Sequence, residues 1–168
     1  MKRLMRIGAV SAALGGGLRL VAQAIPYVPD SAALEALYAV IDVGFLFALI
    51  ALIACVSERI SIVGLGSMLI ATAGVASIVG PDRTAFGMDF YLLGSAIFVL
   101  ALGASAIWLI RLNGYRRPSI AFAMAAMFAI AAGISGAGMA FIGAGLTLAA
   151  SFLLLAQALW LDSCSPDR

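Results

Sequence analysis

The stretch Gly15-Gly16-Gly17-Leu18-Arg19-Leu20-Val21-Ala22-Gln23 is followed, after a Pro-containing turn, by Glu35-Ala36-Leu37-Tyr38-Ala39-Val40-Ile41-Asp42. On both sides of the turn the chain stays apolar for about 20 residues or more, the length that crosses a bilayer as helix. Yet a cation, two acids, an amide and a phenol fall inside these two segments. A lone Arg or Asp at mid-span costs about 2.5–3.5 kcal/mol, against about −0.3 to −0.6 for a good apolar residue. Such residues are therefore expected to meet one another or to line a polar path.

The rest of the chain supports lipid as the solvent. Of its 168 residues, 64% are hydrophobic and 11% charged, and mean hydropathy is +1.14. A soluble domain carries about 25% charged residues. Six apolar spans are legible between polar or Pro/Gly punctuation: Met5 to Ile25, Ala32 to Val56, Ile60 to Val79, Met88 to Ile110, Ser119 to Ile134 and Met139 to Leu161. The last two are divided only by Ser135-Gly136-Ala137-Gly138. A Gly turn is the economical reading there, because one straight helix of that length overshoots about 30 Å of hydrocarbon. The expected fold is all-α, a polytopic membrane protein forming a single domain over residues 1–168, a compact bundle of six transmembrane helices.

Charge placement predicts the orientation. Lys2, Arg3, Arg6, Arg59, Arg111, Arg116, Arg117 and Arg168 fall on the side of the two termini, with Arg83 on the other and Arg19 inside the first span. By the positive-inside rule this puts both termini in the cytoplasm of a bacterial-type inner membrane. Trp108, Tyr115 and Trp160 are expected at the cytoplasmic boundary, and Tyr27, Phe90 and Tyr91 at the outer one. A competing reading makes the first span a cleaved signal peptide, given its basic start and Ala22-Gln23-Ala24. Arg19, between the apolar stretch and that site, speaks against cleavage, so the first span is read as retained.

Several chemistries are excluded. The chain has no histidine, which removes the commonest general base and transition-metal ligand. Cys55 and Cys164 match no metal or redox spacing, and no basic stretch reads as a nucleic-acid patch. Gly133-Ile134-Ser135-Gly136 has the G-x-S-G form of rhomboid intramembrane proteases. The match spans four residues, and the rhomboid dyad needs a histidine, so it is rejected. No nucleophile and base pair is evident, so an enzyme is not expected, and no cofactor or metal motif appears.

Small residues recur at three- and four-residue steps: Gly64, Ser67, Ala71 and Gly74 in the third span, Gly143, Thr147 and Ser151 in the sixth. They are read as faces where helix backbones approach. The candidate polar site is Arg19, Gln23, Glu35, Tyr38 and Asp42. Arg19 lies about 9 Å inward from Ile25, Glu35 about 6 Å and Asp42 about 16 Å inward from Ser31. Arg19 is thus expected between the two acids in depth, with Tyr38 on their face, and Gln23 is expected level with Glu35 and on one face of the first span with Gly15 and Arg19. Asp82, Arg83 and Asp89 read as solvated loop charges or as an entrance to the same site. Arg111 to Arg117 read as a topological anchor able to touch anionic lipid. Three functions are weighed, the weakest being a lipid-facing enzyme with Asp42 or Glu35 as acid/base, for which no nucleophile and base pair is evident. The preferred one is a structural or accessory membrane protein whose partners are lipids, further copies or another membrane protein, with no nucleic acid. The alternative is a small transporter using Asp42 as a protonatable group and Arg19 as its counter-ion.

Overall fold

A computed structural model describes residues 1–26, 28, 31–79, 84–85 and 88–164. It contains six helices: α1 (Lys2–Ala24), α2 (Ala32–Val56), α3 (Ile62–Ile78), α4 (Phe90–Leu109), α5 (Arg116–Ser135) and α6 (Gly138–Cys164). Five of them, all but α3, are long and apolar enough to cross a membrane. The only other ladder among the described residues is two residues deep, β1 (Thr84–Ala85) antiparallel to β2 (Met88–Asp89).

Local chemistry sets the helix ends. The Ser61 hydroxyl accepts from Gly64 N at 3.2 Å and so starts α3 later than Ile60. Val79 is extended at its other end. The third helix is therefore 17 residues long rather than the 20 expected, about 26 Å. Asp89 caps α4, its Oδ1 accepting from Leu92 N at 3.0 Å. The Gly turn before α6 is present: Gly136 has φ +64, a left-handed conformation that glycine adopts without a Cβ clash, and donates to Ala132 O at 2.8 Å. At α1 and α5 the helix continues past the apolar limit, through Lys2 and Arg3 and through Arg116 to Pro118. Proline is tolerated in a first turn, where its missing N–H has no intrahelical partner anyway.

Helices adjacent in sequence pack side by side, and α6 closes the ring against α1. Contacts along each seam fix the direction. Gly8 meets Ala51 and Gly15 meets Phe45, so α1 and α2 are antiparallel. Gly64 faces Trp108 and Gly74 faces Phe98, so α3 and α4 are antiparallel too. The start of α1, the end of α6, the α2–α3 turn and the α4–α5 turn thus share one end of the bundle. Lys2, Arg3, Arg6, Arg59, Arg111, Arg116 and Arg117 are all at that end.

Phenylalanines fill the middle of the ring. Phe45 of α2 stacks on Phe152 of α6 with centroids 3.9 Å apart. Phe98 of α4 tilts against both, at 6.1 and 6.3 Å, and Phe122 of α5 meets Phe152 edge-on at 5.6 Å. Offset and edge-to-face contacts are the favoured aromatic geometries. The outside is equally apolar: Val10, Phe47, Ile70, Leu100, Met127 and Phe141, one from each helix, are all exposed. A water-soluble protein confines such surface to patches of a few hundred Å². Here it surrounds the bundle, and lipid is the solvent that suits it.

The small residues act as packing surfaces. A Cβ on Gly74 would lie 2.7 Å from Phe98 N, and one on Gly143 would lie 2.9 Å from the Phe128 ring. The hydroxyls turn back onto their own helices: Ser67 donates to Gly64 O at 2.8 Å, Thr147 to Gly143 O at 2.7 Å and Ser151 to Leu148 O at 2.6 Å. Each is satisfied without water, as a hydrocarbon environment requires.

Candidate functional site

The polar hairpin is built on the three glycines, which divide the work. Gly15 faces α2: a Cβ there would lie 2.9 Å from the Phe45 ring and 3.2 Å from Ile41 O. Gly16 faces α6, where a Cβ would lie 2.9 Å from Ala149 O and 3.1 Å from Leu153 Cγ. Gly17 faces open space. Two adjacent glycines therefore let α1 sit in the angle between α2 and α6. Gly44 returns the approach from α2, a Cβ there falling 3.0 Å from Ser11 O.

One turn beyond Gly15, the Arg19 guanidinium carbon stands 5.5 Å from the centroid of the Tyr38 ring. This is a cation–π contact, which gains strength where water is excluded. Tyr38 is one turn from Glu35 and one from Asp42, so Arg19 lies between the two acids in depth, at the level expected. Arg19 Nε is sealed from solvent and has no hydrogen-bond partner among the described residues. Asp42 is only 6% exposed and is engaged in a polar or electrostatic interaction. It lies one turn along α2 from Phe45, a member of the aromatic cluster.

Two members of the set fall elsewhere. Glu35 is exposed, in the first turn of α2, where an acid suits the positive end of the helix dipole. Gln23 does not turn to Glu35. Its amide lies against Gly145 of α6, filling the space a Cβ would take. Helical rotation explains the correction. Each residue advances about 100°, so Gln23 is turned about 80° from Gly15 and only about 20° from Gly16, the residue that faces α6. Gly15, Arg19 and Gln23 therefore form a slow spiral, with Arg19 at the seam. The structure joins Arg19 to Tyr38, one turn from Asp42, turns Gln23 to α6 and leaves Glu35 exposed.

A second polar contact lies at the opposite end. The Tyr115 hydroxyl donates to Asp162 Oδ2 at 2.7 Å, tying the start of α5 to the end of α6. Tyr115 is 1% exposed, so it is a core residue and not the interfacial belt residue expected from sequence. Trp160, by contrast, is 49% exposed, as a belt residue would be. The only sequence signal for the Tyr115–Asp162 contact is an acid near the end of an otherwise apolar span, matched to a phenol near the start of the preceding one.

Of the outer cluster, Asp82 and Arg83 lie outside the described residues, as do Tyr27 and Arg168. Asp89 is a helix cap, which accounts for it without a cavity. Among the described residues there is no group of three or more His, Cys, Asp or Glu able to hold a metal ion. Cys55 and Cys164 form no disulfide.

No protein-family model, curated protein or solved structure matches the chain.

Proposed function

We propose that this chain is a non-catalytic structural or accessory protein of a bacterial-type inner membrane. It crosses the bilayer six times, with both termini in the cytoplasm, and its apolar outer faces associate with lipid, further copies or another membrane protein. The aromatic plug carries this reading. Phe45, Phe98, Phe122 and Phe152 pack together at the ring centre, and Asp42, 6% exposed, lies one turn along α2 from Phe45. Ser67, Thr147 and Ser151 spend their one hydroxyl proton on their own helix backbones, which supports a packing role for them. The basic end formed by seven Lys and Arg residues supports its assignment to the cytoplasm.

A second reading draws on one observation, the buried Arg19 Nε without a hydrogen-bond partner. A donor in that condition carries a desolvation cost of about 1–3 kcal/mol unless a water or solute meets it. In this reading the protein is a small transporter, with Asp42 taking up a proton and Arg19 as its counter-ion. Reconstitution into liposomes with an internal pH dye separates the two. The structural reading predicts proton flux equal to that of protein-free vesicles for both wild type and Asp42→Asn. Flux in the wild type that disappears in a folded Asp42→Asn variant would establish transport instead.

A further inference from the structure

A groove of about 310 Å³ opens on the protein surface at the basic end, between the start of α5 and the last turns of α6. Its rim carries Arg116, Arg117 and Gln157, and its walls include Pro118, Leu154 and Leu161. All three rim residues are exposed. Successive helical residues diverge by about 100°, yet both arginines border the same groove. The one acid of α6, Asp162, accepts a hydrogen bond from the Tyr115 hydroxyl.

We infer that this groove holds an anionic phospholipid of the adjoining leaflet, with the phosphodiester at Arg116 and Arg117 and an acyl chain along Leu154. The inference does not rest on the proposed function. Charge selects the occupant: two guanidiniums on one rim, presenting forked N–H donors, suit a phosphate that carries no neighbouring ammonium. Shape agrees. From Leu161 to Leu154 the apolar wall runs about 10 Å along α6, from the level of the charged rim to the depth of acyl chains. Gln157, exposed on α6 at the rim, is able to bond the glycerol or ester oxygens. A free phosphate has no use for that apolar wall, so lipid is the source to which the geometry commits.

The test uses the full chain in mild detergent, with thermal unfolding and native mass spectrometry as readouts. Phosphatidylglycerol is expected to bind saturably and raise the unfolding temperature, while phosphatidylcholine and inorganic phosphate leave it unchanged. Replacing both Arg116 and Arg117 with Gln is expected to weaken phosphatidylglycerol binding by roughly tenfold to thirtyfold, from about 1 kcal/mol per basic residue at a membrane surface. Gln157→Trp fills the groove from α6 without changing charge and is expected to weaken binding as well. Removing two basic residues of the same end outside the groove, Arg59 and Arg111, is expected to leave it intact. Equal losses from the Arg59/Arg111 and Arg116/Arg117 pairs, or full binding by Gln157→Trp, would replace the site with a diffuse surface charge. Equal binding of phosphatidylcholine would remove the anion requirement.

Discussion

Two polar contacts stitch this bundle, one at each end, and they are differently made. At the basic end, Tyr115 and Asp162 meet through a direct hydrogen bond of 2.7 Å with the phenol fully enclosed. At the other end, Arg19 rests on the face of Tyr38 at 5.5 Å, its Nε enclosed and unbonded, with Asp42 buried a turn away. The first contact is a direct donor–acceptor pair, in which the Tyr115 hydroxyl has placed its one proton. The second holds a full charge by an aromatic face, and the Arg19 Nε–H has no hydrogen-bond partner among the described residues. That difference is why the Arg19 end, and not the Tyr115 end, sustains two readings of function.

The comparison can be broken first at the backbone beneath the Arg19 contact. Gly16→Leu drives a side chain into Ala149 O and Leu153 and is expected to cost about 3 kcal/mol, the upper part of the usual range for overpacking. Gly17→Leu points into open space, and its cost is expected within about 0.5 kcal/mol of zero, as for an ordinary surface change. Denaturant unfolding of both variants in detergent measures the gap. Equal costs would mean that α1 is not wedged between α2 and α6.

A double-mutant cycle with Arg19→Met and Tyr38→Leu sharpens the contact itself. The coupling energy is expected at about 1–2 kcal/mol, the value of a desolvated cation–π pair. A coupling near zero would detach Arg19 from Tyr38 and return it to the acids. Tyr115→Phe should cost less than Gly16→Leu, about 0.6–1.5 kcal/mol, since interhelical hydrogen bonds in membranes contribute modestly. Thermal unfolding checks it, and an Asp162→Asn variant, which keeps an acceptor oxygen, should lose less than Tyr115→Phe.

How much of this was legible in the sequence depended on what ends or turns a helix. The bounds of α2, Ala32 and Val56, and the Gly136 turn were readable because polar or flexible residues interrupt an apolar run there. The starts of α1 and α5 were set too late, since apolarity marks where hydrocarbon ends, whereas a helix proceeds through Lys2 or Arg116 into the headgroups. The depth of Arg19 against Tyr38 came from rise per residue alone, which is reliable over one or two turns. The direction of Gln23 did not, because a four-residue step overshoots a full turn by about 40° and two steps carry the amide round to α6. Tyr115 and Asp162 stood hidden for another reason. Each lies at the end of a span, where a polar residue is ordinary, and 47 positions separate them.

The central claim is that the Arg19–Tyr38–Asp42 region locks α1 to α2 and does not line a water path. It is tested most directly by placing the chain's single thiol at Asp42, as Asp42→Cys with Cys55 and Cys164 both changed to Ser. The protein is then treated in native membranes with a charged, membrane-impermeant thiol reagent. A thiol at this buried position is predicted to stay unlabelled until the protein is denatured, and then to react fully. Rapid labelling of the folded protein from the α1–α2 loop side would reveal a wet passage to Asp42 and contradict the lock.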